Sequence, residues 1–230
     1  TFAAHAASQG TGHALLWTLA REQVIELVAA AVSSDQAEYQ ATGFRPVAFE
    51  AAAQGIVPLE SKASSVSLKV HGTLDRVDYR AEPPALRIVD YKFKQGNEIT
   101  AVDRNLALSA VRGFRLQPPL YARMTLPSLP APTNVQLLFL APQWNQPISR
   151  STFDADLWTG HTGGMIRQTL STLIQGIANR EFFILPDGYC DYCEFSGACR
   201  RHDAMAWWRS YRSPQARVLR KLRKQKVRDE

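Results

Sequence analysis

Gly72-Thr73-Leu74-Asp75-Arg76-Val77-Asp78 and Ile88-Val89-Asp90-Tyr91-Lys92 lie in two β-rich runs separated by a turn signal, Ala81-Glu82-Pro83-Pro84. Side chains alternate along a strand, so Asp90 and Lys92 share one face. Val89, Tyr91 and Phe93 are then expected to point the other way, into a core. A charged pair on an otherwise apolar strand is costly to bury unless something holds it. Two carboxylates on adjacent strands, Asp75 and Asp90, can converge on a hard divalent cation, which takes oxygen ligands. A lysine two residues further on can orient water or steady charge on a phosphoryl group. An isolated Asp-x-Lys is more often a surface ion pair on an edge strand, so the surrounding motifs decide its meaning.

Upstream, Leu15, Leu16, Leu19, Ile25, Val28 and Val32 recur at helical spacing and predict one amphipathic helix from Gly12 to Val32. Residues 44–54 predict a first strand. Glu50 within it is either a solvated strand end or a further member of the acidic group. Val66 to Tyr79 and Leu86 to Phe93 are the two strands that carry the quoted motifs. A polar stretch, 94–105, leads to a helix around Leu116–Met124, where Pro118-Pro119 suits the first turn. Asn134 to Ala141 predicts a buried strand, Asp154 to Arg180 a long helix, and a basic helix starts near Asp203. This order implies a mixed α/β core, a central sheet flanked by helices.

The chain has 230 residues, 45% hydrophobic and 21% charged, enough for one sizeable core. No run of about 18 apolar residues is present, which argues against a membrane-spanning helix. No basic segment precedes an apolar one at the start, which argues against secretion. The opening on Thr1 suggests a piece of a longer chain. Net charge is +6, but Arg200 to Glu230 carries 11 Lys/Arg against 3 Asp/Glu, a local +8, leaving the other 199 residues at −2. The basic tail is either phosphate-seeking or simply solvated. Trp207 and Trp208 beside it are expected to pack the last helix against the body, although stacking on bases is the alternative.

All three cysteines fall between positions 190 and 199. An odd number crowded into so short a segment points to metal or cluster ligation in a reducing compartment, hence a cytoplasmic protein.

Gly72-x-x-Asp75-Arg76-x-Asp78, Val89-Asp90-Tyr91-Lys92 and Gln117-Pro118-Pro119-Leu120-Tyr121, together with His13 opening the first helix, closely resemble the RecB-like branch of the PD-(D/E)XK nucleases over about residues 10–200. The resemblance implies a restriction-endonuclease-like core binding Mg²⁺ or Mn²⁺. It implies Asp75 and Asp90 as metal ligands, with His13 and the Tyr91 backbone carbonyl as further ligands, and Lys92 as the catalytic lysine. Gln117 and Tyr121, four apart and so on one helical face, would approach the site and the DNA. Arg76 and Asp78 are expected on the opposite strand face in a supporting role. The glycine before His13 lies one place nearer than the family's usual Gly-x-x-x-His.

Cys190-x2-Cys193-x5-Cys199 resembles the C-terminal triad of AddB-like nucleases, which holds a [4Fe–4S] cluster with a fourth cysteine upstream of the first helix. No cysteine precedes Cys190 here. His202 offers a competing four-ligand zinc site. The implied organisation is a nuclease core at 1–185, a cysteine segment at 186–204 and a basic C-terminal helix or tail at 205–230. The implied activity is exonuclease-type DNA hydrolysis in double-strand-break end processing, beside a helicase region or subunit. The alternatives are a non-catalytic DNA-binding or assembly module, and a stand-alone RecB-like nuclease of CRISPR adaptation.

Overall fold

A computed structural model describes residues 14–59, 66–94, 99–142, 146–181, 190, 193, 195–199 and 202–227. The elements run α1 (Ala14–Thr42), β1 (Arg45–Leu59), β2 (Val66–Arg80), β3 (Ala85–Phe93), α2 (Ala101–Arg104), α3 (Leu106–Val111), α4 (Gln117–Tyr121) and β4 (Met124–Thr125). They continue with β5 (Pro132–Leu140), β6 (Ile148–Asp154), a 3-10 turn (Ala155–Trp158), α5 (His161–Ala178), α6 (Ala204–Arg212) and α7 (Pro214–Leu222). The strands form one six-stranded sheet in the order β4-β1-β2-β3-β5-β6.

The central strands explain the order. Ala85 to Asp90 is buried at every position, as is Val135 to Phe139. Such near-continuous burial belongs to strands covered on both faces. β3 and β5 pair in parallel, Asp90 opposite Leu137, and every other pairing is antiparallel. The 3-10 turn and α5 supply Trp158, Ile166 and Leu170 to the core built on Leu74, Ile88, Leu137 and Phe139. At the far edge β4 pairs with Gly55, where any Cβ would fall 2.1 Å from the Arg123 carbonyl oxygen. Only glycine admits that approach.

On β2, Asp78 is wholly buried and accepts from both Arg76 and Arg87. These two guanidinium groups reach α1, Arg76 to Asp35 and Arg87 to Glu38, and Arg150 of β6 also pairs with Asp35. Arg76 further donates to the Tyr91 hydroxyl at 3.1 Å. The supporting role expected of Arg76 and Asp78 is therefore concrete: they tie the first helix to the sheet.

Several expectations need correction. α1 runs ten residues past Val32, and Ile25, Val28 and Val32 are exposed (44, 46 and 63%) while Leu27 is buried. The second half of this helix is held by ion pairs, to which apolar periodicity is blind. Phe93 is 59% exposed, because β3 ends there. The helix expected from Asp154 begins only at His161, after the 3-10 turn, and Ile148–Asp154 is an additional edge strand. Its inward residues are just Ser151 and Phe153, too weak an alternation to announce a strand. The basic segment is two helices, because Ser213 caps and Pro214 starts a second one. No residue of α6 is fully buried: of the two tryptophans expected to pack this helix, Trp207 is half-buried and Trp208 is exposed.

Candidate active site

Strand β2 carries Asp75 and strand β3 carries Asp90, Tyr91 and Lys92, so a carboxylate from each of two paired strands meets beside the lysine. Tyr91 donates its backbone N–H to Asp75 Oδ2 at 2.9 Å. The side chain of β2 thus takes over the backbone donor of β3 just past the last paired residues, Arg76 and Val89. Asp90 is almost completely buried, and its Oδ2 lies 2.7 Å from Lys92 Nζ. That contact is an ion pair without hydrogen-bond geometry, and Oδ2 has no hydrogen-bond partner among the described residues.

The lysine is held from its other side by α4. Lys92 Nζ donates to Gln117 Oε1 at 2.9 Å, and Gln117 Nε2 donates to the Tyr121 hydroxyl at 3.2 Å. Prolines at the first turn of α4 cost no hydrogen bond there, so this short helix can present Gln117 and Tyr121 one turn apart. Asp90, Lys92, Gln117 and Tyr121 form one continuous polar chain from sheet to helix.

Electrostatics single out Asp90. Burial pushes its carboxyl up from the ordinary range, the close contact and charge of Lys92 pull it down, the charge of Asp75 pushes it up and Arg115 pulls it down; the balance is upward. Tyr121 is raised by burial and by the charges of Asp90 and Asp75, against the bond from Gln117. Asp90 is thus a buried carboxylate that faces a second carboxylate, with the Lys92 ammonium as its close cationic partner. The donor set fits a hard divalent cation, which takes carboxylate and carbonyl oxygens. Asp75 and Asp90, brought together on adjacent strands, are the carboxylates that could hold one. Among the described residues no group of three or more His, Cys, Asp or Glu converges on a single point. His13, the further ligand expected from the sequence, lies outside the described residues.

Glu50 falls between the pairs Phe49–Arg76 and Ala51–Leu74, level with Asp75 across the β1–β2 ladder. Its backbone is in the left-handed region (φ 48°), uncommon for a residue other than glycine, and its side chain is exposed. An open cleft lined by Gln54, His71, Thr73 and Thr125 continues along the same two strands.

Periodicity missed a second cluster. Asp103 pairs with Lys94 at 2.8 Å and with Arg115 at 2.6 Å, and Thr100 donates its hydroxyl to it. Burial alone would push Asp103 up, but these bonds and the Arg115 charge hold it below the ordinary carboxylate range. Arg115 is the group whose charge also reaches Asp90. The one signal available was Thr100-x-x-Asp103, a helix-start pattern inside a stretch that looked like a plain connection.

Among the described residues no disulfide joins Cys190, Cys193 or Cys199, and each is partly buried. The Cys193 N–H donates to the Cys190 carbonyl and the Cys199 N–H to the Phe195 carbonyl, so the segment is turned back on itself. No helix among the described residues is long and apolar enough to cross a membrane.

A protein-family model described as the PD-(D/E)XK nuclease superfamily matches residues 2–200. A solved structure titled "Crystal structure of SSO0001" is similar at a TM-score of 0.36 and 10% identity, over 80% of this chain and 77% of that one, a likeness too distant to bear on the site. No curated protein matches the chain.

Proposed function

This chain belongs to the PD-(D/E)XK nuclease superfamily, and its mixed six-stranded sheet flanked by helices is the restriction-endonuclease-like α/β core of that family; from that premise we propose that it is a Mg²⁺- or Mn²⁺-dependent deoxyribonuclease. The observation that carries the proposal is the junction of Asp75, Asp90 and Lys92, with Asp90 buried and paired to the lysine and Asp75 fixed by the Tyr91 backbone N–H. Asp75, Asp90, the Tyr91 carbonyl and His13 would hold the metal. When bound, such an ion polarises a phosphoryl oxygen and acidifies water.

The chain's own residues do the rest. Lys92, held between Asp90 and Gln117, keeps its ammonium at the scissile phosphate, where it offsets charge on the non-bridging oxygens. Gln117 fixes the lysine, and Tyr121 fixes Gln117. Water forms the new P–O bond and gives up a proton to solvent as the bond to the leaving sugar oxygen breaks, and that oxygen takes up a proton from solvent. The cleft by His71 and Thr73 continues from Asp75 and suits the flanking strand.

The finer reading is a RecB/AddB-type end-processing exonuclease in double-strand-break repair, working beside a helicase region or subunit. It rests on the quoted motifs and on the cysteine spacing. In it Cys190, Cys193 and Cys199 provide three ligands of a [4Fe–4S] cluster whose fourth ligand lies elsewhere, with zinc on the same thiols and His202 as the rival. Cleavage of end-labelled DNA with Mg²⁺, Mn²⁺ or EDTA tests the activity. Metal-independent cleavage, or none under any condition, contradicts it. Iron and sulfide in equal amounts support the cluster, and stoichiometric zinc without iron contradicts it.

A further inference from the structure

α7 is anchored to the body. Ala216 and Leu222 are buried, Arg112 Nε donates to the Gln225 carbonyl at 2.9 Å, and Arg223 lies over the Phe114 ring. α6 is different, since none of its residues is fully buried, yet it carries the aromatic residues Trp207 (half-buried), Trp208 and Tyr211. An aromatic group at helical spacing normally belongs to a core. Here Trp208 and Tyr211 are 43 and 44% exposed.

The three rings are stacked on one another. Trp207 and Tyr211 have centroids 4.9 Å apart at 17°, and Trp208 lies 6.1 Å from Trp207 and 6.3 Å from Tyr211. Arginines lie over two of these rings, Arg212 over Trp208 at 4.3 Å and Arg220 over Tyr211 at 4.0 Å. Arg220 Nη1 is buried with no hydrogen-bond acceptor among the described residues. From Ala204 to Val227 the chain has eight Lys/Arg and no Asp/Glu. An apolar partner would have to strip water from these cations without pairing them, which is costly. A single nucleic-acid strand supplies both missing partners: flat bases for the rings and phosphates for the guanidinium groups.

We propose that the aromatic–arginine ladder of α6 and α7 is a stacking platform for single-stranded DNA. Bases stack on Trp208 and Tyr211, while Arg212 and Arg220 turn from the rings to the flanking phosphates. This platform lies outside the Asp75–Asp90–Lys92 site and does not depend on the cleavage reading, since it needs neither metal nor those residues.

The test is fluorescence anisotropy in EDTA at fixed salt, with the full chain. The probes are a dye-labelled oligothymidylate and an abasic deoxyribose-phosphate oligomer of equal length. The parent should favour the oligothymidylate, which should also quench tryptophan emission. Trp208→Ala/Tyr211→Ala should weaken oligothymidylate binding on the order of tenfold and leave abasic binding nearly unchanged. Trp208→Phe/Tyr211→Phe should keep the preference. Because no residue of α6 is fully buried, both variants should keep the parent's fold, and circular dichroism checks this. Equal binding of the two oligomers by the parent, or equal loss on both in the alanine variant, would overturn the proposal.

Discussion

The backbone N–H of Tyr91 donates to Asp75 Oδ2 at 2.9 Å, so the carboxylate of one strand is fixed by the main chain of the next. Asparagine at position 75 keeps an oxygen acceptor for that bond and removes the charge. Asp75→Asn should therefore melt within a few degrees of the parent, yet bind Mn²⁺ more than about tenfold more weakly, since hard cations depend on ligand charge. Calorimetric titration with Mn²⁺ measures this. Undiminished affinity would make Asp75 a structural residue.

Lys92 offers no oxygen to a cation, but its ammonium sits between Asp90 Oδ2 and Gln117 Oε1. Lys92→Ala should lower single-turnover cleavage by about 100-fold or more, the range seen when one charge-stabilising donor is removed, with Mn²⁺ affinity largely kept. Gln117→Ala should cost less, because the lysine remains tied to Asp90. A Lys92→Ala variant that loses metal affinity as fully as an Asp75 variant would place the lysine in the binding site's architecture instead.

Asp78 stands behind the site, between Arg76 and Arg87. Removing it leaves two buried cations with less compensation, so Asp78→Ala should destabilise the fold by about 3–5 kcal/mol. Urea unfolding measures the change. A loss below about 1 kcal/mol would be ordinary for a surface substitution and would contradict the role given to this network.

The strand pair, the acidic residues and the lysine were legible because alternation alone puts Asp90 and Lys92 on one face. Gln117 and Tyr121 were legible as a pair four apart on one turn. The bond of Lys92 to Gln117 was not, since it spans 25 residues and joins a helix to a sheet. The family resemblance pointed there, and periodicity could not. The attachment of α1 through Asp35 and Glu38 was invisible for a similar reason: its partners lie 41 and 49 residues away. Strand β6 escaped because an edge strand buries too few side chains to leave an apolar pattern, and α2 and α3 because they are one and two turns long.

Asp103 predicts a pH dependence. Its carboxyl is held below the ordinary value in the folded chain, so it binds a proton more readily when unfolded. Its contribution is therefore complete above the ordinary aspartate value of about 3.9 and is lost as pH falls through the lower folded value. Acid unfolding of Asp103→Asn should be flatter across that window than that of the parent. Identical slopes would show that the bonds from Lys94, Thr100 and Arg115 do not stabilise the charged form.

The central claim is that Asp75, Asp90 and Lys92 form a metal-dependent phosphodiester-cleaving site, and Asp90→Ala tests it most directly. Cleavage of end-labelled DNA is followed under single-turnover conditions with Mg²⁺ or Mn²⁺, alongside DNA binding in EDTA. The parent should cut only with metal, and the variant should lose about 100-fold or more in rate while binding DNA as the parent does. An Asp90→Ala chain that cuts within about tenfold of the parent rate, less than the loss of one charge-stabilising group costs, would show that the reaction occurs elsewhere.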